Sequence, residues 1–289
     1  MVGPVTEKKR AEIEGEVRDL GWWYQDFELP SGVRTGTGQE PSYRPAERWA
    51  VIELHLPEVL SGKSVLDVGG NAGYFSIQMK LRGAGRCVLV EPYREFAAQA
   101  AYAAGEFGVE LAVVNEDVHT YCLTTEERFD YVLFLGLFYH LKYPVLVLDR
   151  LAEMTKDRII FHSYSVDAEG VLGRGLERNL DRTDDAEIDQ SDFPAMKFIE
   201  RRYNDDPTNW WFPTHTALEP LIRSAGLKVV ARPHAQLIVA EPERPLGKVV
   251  YPKLVFPKYA KPGGPVHPGP QQVDPELWQK LLQSRSQKS

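Results

Sequence analysis

From Ser64 to Ser76 the chain reads SVLDVGGNAGYFS. An apolar run, interrupted by Asp67, ends in Gly69, Gly70, Asn71 and Gly73, and then meets Tyr74 and Phe75. Apolar residues that run into glycines read as a strand, a tight turn and the start of a helix. The turn is not a phosphate-binding loop of the G-x-x-x-x-G-K-[ST] kind, because Tyr74 and Phe75 follow Gly73. It also lacks G-x-G-x-x-G, and no basic residue stands nearby to meet a pyrophosphate. An uncharged nucleoside with an amino-acid tail suits it better. Asp67 can accept from an ammonium group, directly or through water, and the helix amides can meet a carboxylate.

Outward from that turn the pattern is regular. Strands are expected at 64–68, 87–91, 110–114, 130–135 and 158–163, with helices at 72–82, 93–106, 118–124 and 144–155. Apolar strands alternating with helices predict a parallel sheet covered on both faces. Upstream, residues 4–20 read as a charged helix with Val5, Ile13, Val17 and Leu20 on one side. An aromatic, glycine-rich loop follows, then a helix over 46–60 with Trp49, Ile52, Leu54 and Leu56 apolar and Pro57 bending or ending it. Downstream, THTALEPLIRSAGLKVVARPHAQLIVAEPE predicts a helix and a hairpin that adds an antiparallel strand at the edge of the sheet or within it. The expected division is an N-terminal segment 1–60, a cofactor-binding core 61–164, an insertion or lid 165–213, the end of the sheet 214–258, and a Pro/Gly linker with a C-terminal helix 259–289. That last helix, 274–284, carries Leu277, Trp278, Leu281 and Leu282 on one face and is expected to dock on the body or on a second copy as a homo-oligomer.

Two further strand ends carry carboxylates. Glu91 closes RCVLVEP about twenty residues after the turn, where a carboxylate can accept both hydroxyls of a ribose. Asp117, in VVNEDV, can accept from an adenine amino group or cap the next helix, and Val118 can donate its amide. Asp67, the glycine turn, Glu91 and Asp117 at three successive strand ends form a set that points to one ligand.

Composition narrows the function classes. The 289 residues carry a net charge of -7, which disfavours broad binding to nucleic acid or to an anionic membrane. No apolar run is long enough to span a membrane and no signal-like start is seen, so a soluble cytoplasmic protein is expected. Cys87 and Cys122, far apart among apolar neighbours, read as buried reduced thiols.

LDVGGNAGYFS, VEP and NEDV resemble the successive motifs of class I S-adenosylmethionine-dependent methyltransferases, over roughly residues 60–240. FDYVLFLGLFYHLKYP and WWFPTHTALEPLIRSAGLKVV are similar to the tRNA wobble-uridine carboxymethyltransferase-like branch, which has a strand, then G-x-x-Y-H with a nearby proline, and later F-x-P-S/T before a helix. The resemblance implies an α/β fold: a doubly wound, mainly parallel Rossmann-like sheet with an antiparallel late strand. It implies S-adenosyl-L-methionine as cofactor, held by Asp67, Gly69, Gly70, Asn71, Gly73, Glu91, Asp117, Val118 and Tyr139, with Tyr139 at the transferable end. The chain departs from the branch in three ways. The tRNA enzymes have a longer N-terminal region, they carry a lysine before F-E-L where this chain has GWWYQDFEL, and they close the site with a late arginine. Without that lysine, ordinary S-adenosylmethionine is expected rather than its carboxy form, since an unpaired buried carboxylate is costly. Arg232, Arg244 and Lys248 are the candidates for the late closing cation, and Arg34, Arg232 or Arg244 would supply the missing one if the carboxy form were bound.

At the reacting end, Tyr139 would face the sulfonium and His140 would take a proton, with His162 and His215 as runners-up. No metal is expected, because the acids of DRTDDAEIDQSD have no companion histidines. Trp22, Trp23, Tyr24, Trp210, Trp211 and Phe212 read either as satellite core or as a lid, with Trp23, Trp210 and Trp211 as the substrate wall. Residues 165–213 hold about twice as many acids as bases, which would repel a phosphate backbone. The favoured function is methyl transfer to an O or N nucleophile of a small-molecule acceptor. A tRNA wobble-base modifier comes second and a non-catalytic nucleoside-binding module third.

Overall fold

In a computed structural model the described residues are 7–36, 38, 42–166 and 193–243. They form a seven-stranded sheet: β1 (Ser64–Val68), β2 (Arg86–Val90), β3 (Ala112–Val114), β4 (Phe129–Leu135), β5 (Thr155–His162), β8 (Leu227–His234) and β9 (Leu237–Pro242). The order is β3-β2-β1-β4-β5-β9-β8. The first five strands run parallel, and β9 lies antiparallel between β5 and β8. The strand expectations hold within a few residues at every end, and the hairpin enters the sheet rather than only edging it.

Both faces are covered, which is why the strands are apolar at consecutive positions. Successive side chains go to opposite faces. Val65, Tyr131, Leu133 and Ile160 join the core with α1 (Glu7–Asp19), α2 (Pro45–Ile52), α3 (Tyr74–Leu81) and α4 (Arg94–Glu106). Leu66, Val68, Val132, Phe134 and Phe161 join the core with α5 (Val118–Thr124), α6 (Pro144–Met154) and α7 (His215–Ser224). Cys87 and Cys122 are buried free thiols, pushed up to about 12 by burial.

Three expectations are corrected. The helix expected over 46–60 ends at Ile52 and gives way to a 3-10 turn, Glu53–His55. Leu56 precedes Pro57 and is extended (φ -112°, ψ 151°), because the proline ring disfavours helical backbone before it. Leu54, expected on the apolar face, is therefore turned out at 78% exposure. Trp23, expected in the substrate wall, is fully buried and donates its Nε1 to the Val17 carbonyl at 2.9 Å. It packs edge-on against Phe27 and Tyr102, so its indole is spent on seating α1 and the aromatic loop on α4. Finally, the insertion ends in regular structure. β6 (Met196–Phe198) pairs antiparallel with β7 (Trp211–Pro213). Residues 167–192 of the lid, Arg244, Lys248 and the helix expected at 274–284 lie outside the described residues.

Candidate functional site

The strand order reverses between β1 and β4, and open α/β sheets bind ligands outside the strand ends at such a point. The glycine turn lies there and its geometry demands glycine. Gly69 (φ +67°) faces Leu137 from the turn after β4, and a β-carbon on Gly69 would stand 2.9 Å from that side chain. A β-carbon on Gly70 would meet Leu89 at 2.7 Å and an Asp67 oxygen at 2.9 Å. Gly73 (φ +82°) lets α3 approach Ala100 of α4. Asn71 holds a left-handed φ of 53°, and its buried Oδ1 has no partner.

Two carboxylates flank this turn. Asp67 is 1% exposed and accepts from the Ser76 hydroxyl at 2.8 Å. Burial pushes its carboxyl up to about 7, against the Ser76 hydrogen bonds and with help from Glu91. Glu91 directly follows β2 and accepts the Asn71 amide on one oxygen and the Tyr93 amide on the other, both at 3.0 Å. Burial raises its pKa and the two amides oppose the shift. Each Glu91 oxygen keeps lone-pair capacity for a further donor. Asp117 caps α5, its Oδ1 accepting the amides of His119 and Thr120 at 2.9 and 3.3 Å. Val118 is buried at the first turn of the same helix.

Gln25, which carries no motif signal, straps the turn. Its Nε2 donates to the Gly70 carbonyl at 3.3 Å and its Oε1 accepts the Tyr74 amide at 3.2 Å. One of the helix amides expected to meet a ligand carboxylate is thus already occupied.

At the end of β4 a 3-10 turn, Phe138–His140, sets Tyr139 and His140 side by side with ring centroids 4.2 Å apart. Tyr139 lies near Tyr164 and Phe212, and its phenol is pushed up to about 12, chiefly by burial. The Thr208 hydroxyl donates to an Asp206 oxygen at 2.5 Å and lies 2.8 Å from His140 Nδ1. A hydroxyl has one proton, so with that proton on Asp206 the oxygen accepts from Nδ1–H and leaves Nε2 as the free base. Burial lowers the His140 pKa, so the ring is neutral at neutral pH. His215 pairs instead with Ser165, at 2.6 Å. Trp210 and Trp211 flank the same turn: the Trp210 amide donates to the Tyr139 carbonyl at 2.9 Å and Trp211 Nε1 to the Lys142 carbonyl at 3.1 Å.

The candidate cations resolve differently from expectation. Arg34 is held by Asp26 at 2.9 Å, and Arg232 by Glu219 at 3.0 Å. Arg48 of α2, which sequence reasoning passed over, is the guanidinium whose charge acts on Tyr24, Tyr43, Tyr139 and His162. A lone arginine in a short helix reads as a solvated face, so no sequence signal marked it. Among the described residues no three His, Cys, Asp or Glu side chains converge as metal ligands.

A tRNA U34 carboxymethyltransferase of Ectopseudomonas mendocina is 27% identical over 233 residues, 79% of this chain and 62% of that protein. One from Desulfotalea psychrophila is 27% identical over 53% of this chain and 46% of its own length. The chain thus spans less than two thirds of these curated relatives. The N-terminal domain of EvdMO1, crystallised in the presence of SAH and D-fucose, superposes with a TM-score of 0.56 at 21% identity, covering 84% of this chain and all of that one. At that identity the likeness speaks for the fold. A family described as a methyltransferase domain matches residues 42–232, well over half of the chain, and the protein belongs to that family.

Proposed function

We propose that the protein is an S-adenosylmethionine-dependent methyltransferase acting on an O or N nucleophile of a small-molecule acceptor. The observation that carries this reading is Asp67 on β1 and Glu91 directly after the adjacent β2, beside a turn with no room for a side chain at Gly69 or Gly70. The residues present fit the cofactor. Glu91 retains acceptor capacity for ribose hydroxyls, the unpartnered Asn71 Oδ1 can accept one donor, and Asp67 can accept from an amine. When bound, the cofactor supplies an activated methyl group on a sulfonium. The chain's own part is to hold the acceptor against that group, exclude water with Tyr139, Tyr164 and Phe212, and take the acceptor's proton on His140 Nε2.

The test has two arms. Calorimetry with S-adenosylhomocysteine should give binding to the wild type and a loss of about 1–3 kcal/mol in Glu91→Ala, the worth of a hydrogen bond to a charged group. Labelled S-adenosylmethionine with fractionated cell extract should then transfer label to a low-molecular-weight fraction. Equal binding by wild type and Glu91→Ala would defeat the ribose assignment.

A second reading, modification of a tRNA wobble uridine, is favoured by the relatives at 27% identity. Arg48 also weakens the argument drawn from the absent lysine, since a cation does stand near Tyr139. The charge of the chain and of residues 165–213 weighs the other way.

A further inference from the structure

Gly136, in GLFYH, has φ +75° and opens a gap at the end of β4. A β-carbon there would lie 3.8 Å from an Arg48 guanidinium nitrogen and 3.9 Å from the Tyr139 hydroxyl. The cation and the phenol therefore border the same small space. Arg48 lies 4.7 Å above the Tyr43 ring, and no carboxylate among the described residues is within ion-pairing distance of it. Asp206, whose charge acts on Tyr139, accepts from the Thr208 amide and hydroxyl.

His162 stands nearby, where the Arg48 charge acts on it. It ends β5 opposite Leu135, and its backbone carbonyl accepts the Gly136 amide at 2.9 Å. Ile160 faces the core shared with α2 and Phe161 faces away, so strand alternation turns His162 toward α2. It is 8% exposed and its Nδ1 is buried without a partner. Burial and the Arg48 charge hold it neutral, with a pKa lowered to about 3. A guanidinium with no ion pair among the described residues, a protonated phenol and an imidazole nitrogen that donates in one of its two neutral tautomers thus stand together as groups able to donate. A buried polar group such as the His162 ring is costly unless a partner satisfies it.

We propose that Arg48, Tyr139 and His162, grouped around Gly136, form an anion subsite that receives a carboxylate or ionised phenol carried by the methyl acceptor. Among the described residues Arg48 is the cation that acts on Tyr139, and the Asp206 charge opposes it there, so a singly charged planar group suits the place better than a phosphate; a guanidinium fork also matches a carboxylate's two oxygens. The inference rests on the methyltransferase reading. The carboxylate of a carboxy-S-adenosylmethionine would present the same chemistry, so the test separates the two sources.

The experiment is calorimetry and ligand-observed NMR on the full chain. Binding of S-adenosylhomocysteine to wild type comes first; if it fails, the methyltransferase reading falls with this one. On the loaded protein, salicylate is compared with salicylamide, which has the same shape and no carboxylate. Wild type should prefer salicylate at least tenfold, Arg48→Met should lose that preference, and Arg48→Lys should keep part of it. Circular dichroism checks that the variants are folded. Binding of S-adenosylhomocysteine with no preference for salicylate, or a preference that survives Arg48→Met, would overturn the subsite alone. In a parallel arm, if Arg48→Met weakens the carboxy cofactor and leaves salicylate untouched, the anion belongs to the cofactor and the acceptor assignment is overturned.

Discussion

Asp67 shows how a single buried group couples charge to folding. Its carboxyl is raised from its ordinary range to about 7, so between about pH 4 and pH 7 the folded chain binds a proton that the unfolded chain has lost. Stability contributed at this position therefore falls as pH rises through that window and is level above it. We predict that the melting temperature of wild type declines relative to Asp67→Asn from pH 4.5 to 7; parallel curves would contradict it. His140 works in the opposite sense, since its pKa is lowered and its free base persists below neutrality. The acidic limb of the pH–rate profile should thus lie below the ordinary imidazole range. His140→Ala should cost ~10²–10⁴ in rate, and Thr208→Val should cost less while moving that limb. A loss under about threefold in His140→Ala would return the residue to a structural role.

Among the elements, the aromatic loop before α2 acts as a strap on the glycine turn. Gln25 bonds the Gly70 carbonyl and the Tyr74 amide together; the Gly70 carbonyl also accepts from Gly73, so Gln25→Ala leaves the buried Tyr74 amide unpaired. That should cost about 1–3 kcal/mol, a drop of several degrees in melting temperature, and weaken S-adenosylhomocysteine as the turn loosens. A variant that melts and binds like wild type would show the strap to be incidental. The strap also marks where sequence legibility stops. The strands and the helices between them follow from local patterns: apolar runs, glycines and period. Asp67, Glu91 and Tyr139 were legible because they sit beside those patterns. Gln25 and Arg48 act on residues tens of positions away, and a single glutamine or arginine has no period. Trp23 misled for the same reason, because an aromatic beside a glycine-rich loop looks alike whether it faces ligand or core. The end of α2 was misjudged because Pro57 acts one residue before itself, through Leu56.

At the scale of the whole molecule, the charge of -7 bears on partners. Fluorescence anisotropy with labelled tRNA should show weak binding at 50 mM salt that disappears by 200 mM, with no tight complex at either. Binding that persists at 200 mM salt would raise the wobble-uridine reading above the small-molecule one. The placement of β9 has a consequence for how the chain is made. On a ribosome, β1 to β5 emerge in order and can pair as they come, yet Ile159, Ile160 and Phe161 wait with one open edge until residues 237–242 follow. Until then the growing chain offers a hydrophobic strand edge to any passing extended segment. Nascent chains stalled before Leu237 should therefore be the ones that chaperones hold and that aggregate, whereas those released after Pro242 have the edge closed by β9.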